Sequence, residues 1–448
     1  MLTKINNQNI LNLISWFISL IPIILIFSNS IADIIVVLAS IFFIFHSVKK
    51  NNWNWLNEPW IKIGLIIYFW LIISSFFAFD KDLALSRSTA WIRFIFFAAS
   101  LQFLFLSKNK FKNRLIVCGF IGLAYVNCEM FIEHITGSSL YAKFRFHFVD
   151  GILFNGGHSR ITGPFKDSPK SGIYLAYFMF PIILGIGQMI KIKFSKNLSL
   201  IFAFLFLVIN LYLVYLSGHR ASMLFVIISL LMTLVYIFFK KRKTASIFII
   251  FLILIGLIFN KFNLFNQEKL KAKELFNKTY TEISDYSNSA YGSLSLTSFK
   301  MFKSKPLFGI GLKNYRVACE KDEFLSKGHL GTGYGVSPWK GHFNQGLQTY
   351  YQATCSSHPH NLYLTWLAET GFLGFCLFLI LLFIISKKIL KNKKIINEEI
   401  IVFGILLSLI PKLIPMMPSL NFFSNWNAVC FWLLIGWLLS FYKSENKF

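Results

Sequence analysis

Apolar runs of about twenty residues recur along this chain, every second one as far as the tenth closed by a cluster of Lys or Arg, and few architectures accept that pattern. A run of that length matches the hydrocarbon thickness of a bilayer, where a backbone can satisfy its own polar groups only as a helix or a closed barrel. About twelve runs can be read, with cores near 10–28, 31–48, 60–79, 88–106, 115–134, 171–190, 198–217, 221–239, 245–262, 361–385, 398–417 and 426–442. The expected fold is an all-α polytopic membrane protein of about 12 transmembrane helices.

The basic clusters orient the runs. Lys49 and Lys50 follow the second, Lys108 to Arg114 the fourth, Lys191 to Lys196 the sixth, Lys240 to Lys243 the eighth and Lys387 to Lys394 the tenth. Every cluster falls after an even-numbered run, so all share one side, which the positive-inside rule makes cytoplasmic. Both termini are then expected on that side. The first run contains Pro22 and polar residues and is followed at once by a second, so it reads as a retained helix rather than a cleaved leader.

The net charge of +26 invites a nucleic-acid reading. The bases sit between apolar stretches rather than along one face, which excludes it. With 55% hydrophobic and 14% charged residues, membrane lipid is the expected surrounding.

The opposite side receives a loop near 135–170, the turn Ser217–Arg220 and a long loop of 263–360. Three regions follow: 1–262 with nine helices, the loop 263–360, and 361–448 with three helices. The long loop exceeds a plain connector and should carry structure. Its start reads as an amphipathic helix with Leu270, Leu275 and Phe276 on one side. A second helix is expected through Ser295–Phe302, ending where Pro306, Gly309 and Gly311 enforce a turn. The stretch 328–346 is glycine-rich and reads as a mobile flap. Cys118, Cys128, Cys376 and Cys430 fall in apolar runs, whereas Cys319 and Cys355 lie in the loop and could pair in an oxidising compartment or stay free.

Chemistry concentrates on the outer side. His360 and Asn361 open the tenth run, and imidazole is the side chain best suited to proton transfer near neutral pH. Arg160 precedes the sixth run, Arg220 opens the eighth beside Gly218, and His358 flanks Pro359. A guanidinium matches phosphate oxygens with a planar fork, so this acid-poor, base-rich face suits an anionic ligand. Arg87 and Arg93 read as snorkelling residues. Glu369 lies about 13 Å deeper than His360 on a helix, and a carboxylate there needs a partner. Gly371 and Gly374 share a face and would let another helix approach. No Cys or carboxylate cluster adjoins His358 and His360, so no metal is expected, nor is a nucleotide loop present.

These residues resemble the O-antigen ligase family of membrane glycosyltransferases. The family signature is His, then Asn, Ser or Gln, nine residues, and Gly-x-x-Gly. It is matched by His360, Asn361, Gly371 and Gly374. Arg220 to Leu224 matches an Arg-x-x-x-Leu element, Arg160 to Phe165 an Arg before a Gly-Pro-Phe turn, and Lys305–Tyr315 the segment before the histidine. The resemblance spans roughly 155–385 and departs at Lys170, where Asn would follow the proline.

The resemblance implies a glycan donor on undecaprenyl pyrophosphate and a lipid A–core acceptor at the periplasmic face of a bacterial inner membrane. It implies His360 as base and Arg160 and Arg220 on the pyrophosphate, with His358, Asn361 and Lys170 as accessory candidates. Inversion without metal or cofactor is expected. An O-antigen polymerase or protein O-oligosaccharyltransferase would use the same donor. A lipid-linked glycan flippase would need charges through several runs, and most runs here have almost none.

Overall fold

The computed structural model describes residues 7–141, 144, 161–165, 170–240, 277, 279–319, 321, 323–324, 355–415 and 417–442. Among the described residues the chain is helical and has no strand beyond one isolated bridge, Asn361 to Pro418. The helices used below are α1 (Asn7–Phe27), α2 (Asn29–Lys50), α3 (Pro59–Ser75), α4 (Lys81–Ser100) and α5 (Asn109–Thr136). Then come α6 (Lys170–Lys193), α7 (Lys196–Leu216), α8 (Arg220–Lys240) and α9 (Ala290–Ser304). The last three are α10 (Leu362–Lys391), α11 (Ile400–Leu409) and α12 (Asn425–Leu439).

Among the described residues eight helices are long and apolar enough to cross a membrane, and α3, α11 and α12 are shorter apolar helices. The protein is an all-α polytopic membrane protein. The ninth run (245–262), Leu270, Leu275, Phe276 and the stretch 328–346 lie outside the described residues.

Several boundaries follow from capping. Ser28, Asp80 and Ser195 each accept a hydrogen bond from the backbone N–H three residues on, at 3.3, 2.9 and 3.1 Å. The cap at Asp80 starts α4 well before its apolar run. The run 398–417 is not one helix. α11 stops at Leu409 and a 3-10 turn, Ile410–Leu413, follows, because Pro411 cannot donate to a continuing helix.

Packing inverts the soluble pattern. On α2 the large residues Ile31, Ile34, Leu38, Ile41, Phe45 and Val48 face outward, while Ala32, Ala39, Ser40 and Ser47 are buried against neighbouring helices. Small residues let backbones approach where lipid offers no hydrophobic drive for association. α12 is at the centre: every residue from Trp426 to Leu439 is buried. Its fifteen residues rise about 22 Å, short of the bilayer core, which is tolerable inside a sheath of protein. Arg93 is not a snorkelling residue. It joins three helices, donating to Asp33 of α2 at 2.8 Å and Asn425 at the start of α12 at 3.4 Å, while Asn425 also donates to Asp33 at 3.2 Å.

α10 is broken at Gly371, whose φ of 70° and ψ of −175° are not helical. The break leaves carbonyls without their usual donors, which is costly at membrane depth. Each has a substitute. Ile310 N–H donates to Ala368 O at 2.9 Å, Gly311 N–H to Glu369 O at 3.0 Å, and the Trp70 indole to Thr370 O at 3.0 Å. In return Phe372 N–H donates to Pro306 O at 2.8 Å. The expected turn after α9 is therefore the piece that repairs the broken helix. Gly371 serves close approach of a loop rather than of a helix, while Gly374 lies under the Trp70 ring of α3.

A Cβ on Gly371 would stand 2.1 Å from Leu307 O, and one on Gly309 2.5 Å from Gly371 N. Gly371→Ala should thus cost on the order of 2–4 kcal/mol, combining strain with a clash. A thermal unfolding curve in detergent should show a clear fall in the midpoint. An unchanged midpoint would mean the break is not needed.

Candidate active site

A cavity of about 260 Å³ opens where the starts of α6, α8, α10 and α12 meet the chain after α11. Lys170, Arg220, His360 and Lys412 line it, with His219, Tyr291 and Asn427. The remaining wall is apolar, including Ile173, Phe225, Leu420 and Phe431. Helix starts carry the positive end of the macrodipole, so backbone and side chains give the cavity one sign.

His360 is placed by its backbone. Its φ is 54°, a left-handed conformation uncommon for a residue with a side chain. The strain is held on both sides. Its carbonyl accepts from Ser419 N–H at 2.7 Å, and the next residue, Asn361, caps α10 by accepting from the N–H groups of Tyr363 and Leu364, both at 3.0 Å. Asn361 thus spends its side-chain oxygen on the helix start. The His360 ring lies 4.0 Å from that of His358 and meets Tyr291 edge to face at 6.0 Å. Burial lowers its pKa to about 4, so the ring is neutral near pH 7.

His358 is buried, with Nδ1 3.0 Å from Ser357 Oγ and Nε2 3.1 Å from Ser419 O. A carbonyl can only accept, so Nε2 carries a proton. Burial, with the neighbouring His360, pushes its pKa well down. Both ring nitrogens of His358 face fixed partners, and among the cavity's lining side chains it is His360 that appears.

Behind the histidines, Cys319 and Cys355 form a disulfide with Cα atoms 5.1 Å apart. It joins the segment that carries His360 to the turn Tyr315–Ala318. That turn is anchored by Glu369, fully buried, which accepts from Lys313 N–H at 2.9 Å and Tyr315 N–H at 3.4 Å. Glu369 is therefore a structural acceptor. Burial lowers Lys313, against the opposing pull of Glu369, to about 8.

Arg220 opens α8. Its two terminal nitrogens reach the two oxygens of Glu282 at 2.7 and 3.3 Å, and Nη1 also lies 3.4 Å from Thr279 Oγ1. The Tyr291 ring is 6.0 Å from its guanidinium carbon, so one tyrosine lies between Arg220 and His360. His219 caps α8 through Nδ1, which accepts from Ser222 N–H at 3.1 Å.

Arg160 lies outside the described residues. The residue after it, Ile161, donates to Leu216 O at 3.4 Å, four positions before Arg220.

Lys412 is the residue the sequence does not announce. It is 8% exposed, and its ammonium donates to Ala176 O at 2.9 Å and Ser408 O at 2.6 Å, 4.2 Å above the Tyr177 ring. Among the described residues no carboxylate stands within 4 Å of it. Two carbonyls and a ring contact the amine, and at such a buried position its charged form is favoured only when an anion joins it. In sequence it sits in IPKLIP, inside the apolar run 398–417, with no neighbouring motif to mark it. The end of α11 at Leu409 and the turn after it place Lys412 in the lining of the same cavity as Arg220.

Among the described residues no three His, Cys, Asp or Glu side chains converge in a way that could hold a metal ion. No curated protein matches the chain. A family model described as O-antigen ligase matches residues 205–379, a stretch that contains Arg220, Tyr291, His360 and the break at Gly371. Over those residues the chain is similar to the O-antigen ligase family.

Proposed function

We propose that the cavity holds the pyrophosphate of a lipid-linked glycan and transfers the glycan to a sugar hydroxyl of lipid A–core, at the periplasmic face of a bacterial inner membrane. The observation that carries this reading is the charge of the cavity. Arg220, Lys412 and Lys170 line it with His360, and Glu282 pairs with Arg220 at its edge. An undecaprenyl pyrophosphate diester brings the missing negative charge, and the apolar wall suits the start of its isoprenoid chain.

In this mechanism the acceptor hydroxyl gives its proton to neutral His360 as its oxygen attacks the anomeric carbon. The bond from that carbon to the pyrophosphate oxygen breaks, and the electron pair leaves with the pyrophosphate. The leaving group is a stable anion, so no acid is needed. Arg220 and Lys412 hold the charge as it grows, in a site too dry to screen them. Arg160, from the loop before α6, is assigned to the same pyrophosphate. One direct displacement inverts the anomeric centre, and the pyrophosphate linkage supplies the free energy without nucleotide or metal.

The test is purified protein with lipid-linked glycan and, in parallel, rough lipopolysaccharide or a second lipid-linked glycan as acceptor, with and without EDTA. Product on lipopolysaccharide, unaffected by chelation, is the expected result. Product only on the lipid-linked acceptor makes the protein a polymerase. Loss of activity with EDTA, restored by magnesium or manganese, removes the mechanism above.

A further inference from the structure

The fork of Arg220 is already filled. Both oxygens of Glu282 sit on it, each partner side chain about one-fifth exposed. Glu282 comes from the helical stretch 279–284 of the outer loop, while Arg220 belongs to the membrane helix α8. A carboxylate and a phosphate engage a guanidinium through the same bidentate geometry. A ligand phosphate on Arg220 must therefore displace Glu282.

That competition discriminates. A site open to the bilayer surface meets the phosphodiester headgroups of bulk lipid far more often than any rare lipid-linked donor. A phosphodiester carries one negative charge, as Glu282 does. It gains nothing by exchange, and it lacks the high effective concentration of a tethered group. A pyrophosphate diester carries two charges. It can meet Arg220 with one phosphate and the buried Lys412 with the other, since both line one cavity. We propose that Glu282 is a specificity-determining residue, a tethered carboxylate that keeps singly charged phosphodiester lipids off Arg220 and yields it to a pyrophosphate lipid. This rests on reading the cavity as the pyrophosphate site.

The test uses the full chain in nanodiscs of phosphatidylcholine alone or mixed with phosphatidylglycerol, with undecaprenyl pyrophosphate as the probe. Wild type, Glu282→Gln and Arg220→Ala are compared, with Glu282→Ala in reserve if the Gln variant is poorly produced. In phosphatidylcholine Glu282→Gln should bind the probe roughly 3–10-fold more tightly, because a half-buried competing ion pair is gone. Phosphatidylglycerol should then erase most of that gain. Wild type should lose much less, and surface charge acts on all variants alike, so the ratio is the readout.

Weaker binding by Glu282→Gln in phosphatidylcholine would make Glu282 a support for the arginine and overturn the proposal. So would an equal response of both proteins to phosphatidylglycerol. If Arg220→Ala binds the probe as wild type does, the pyrophosphate reading itself fails, whatever Glu282 does.

Discussion

His360→Ala should be produced and inserted normally yet transfer glycan at least about 100-fold more slowly, the usual range for losing a general base. The side chain makes one weak polar contact, 3.4 Å to Ser356 Oγ, while its backbone is held by Ser419 and the Asn361 cap, so truncation leaves the local frame intact. The fall should appear in kcat, with donor affinity little changed. A pH profile gives a second sign. Protonation inactivates the base, and burial keeps its pKa near 4, so kcat/KM should be flat from about pH 8 to 6 and fall only at lower pH. The groups around the ring are His358, Tyr291 and Ser356. An acid limb centred near 6.5 would contradict a buried, neutral ring.

Arg220→Ala should weaken donor binding by roughly 10–100-fold, the scale of one or two charge-assisted hydrogen bonds. It should lower the rate as well, because the pyrophosphate is present in ground and transition states. Arg220→Lys should fall between, keeping the charge but losing the fork. Acceptor affinity should not move. Steady-state kinetics with donor and acceptor varied separately distinguish these terms. Unaltered donor affinity and rate would reduce Arg220 to the partner of Glu282 that it is in this structure.

What the sequence reveals here is what short-range pattern and hydropathy encode. Most of the apolar runs, the helix through Ser295–Phe302 and the turn at Pro306, Gly309 and Gly311 have local causes, and the described residues contain eight long apolar helices, that helix and that turn. A buried acid in an apolar run must find donors, and Glu369 finds them in the N–H groups of Lys313 and Tyr315.

Long-range partners were not legible. Nothing local says that Gly371 breaks its helix, because the break is viable only when Ile310, Gly311 and Trp70 arrive to satisfy its carbonyls. Lys412 sits unmarked inside the run 398–417 until α11 stops at Leu409 and the turn after it sets its amine over the Tyr177 ring. Glu282 falls in a mixed-charge stretch whose solvated face would be its ordinary fate, and Arg93 looks exposed until Asp33 and Asn425 close on it.

On the proposed function, one cavity between the starts of α6, α8, α10 and α12 binds a lipid pyrophosphate beside His360. A structure of the protein in a nanodisc with undecaprenyl pyrophosphate tests it most directly. The expected result has one phosphate on the Arg220 fork, Glu282 displaced from it, the other phosphate at Lys412, and the His360 ring turned to the face from which an acceptor would attack. Density for the pyrophosphate elsewhere, with the Arg220–Glu282 pair still closed, would contradict it.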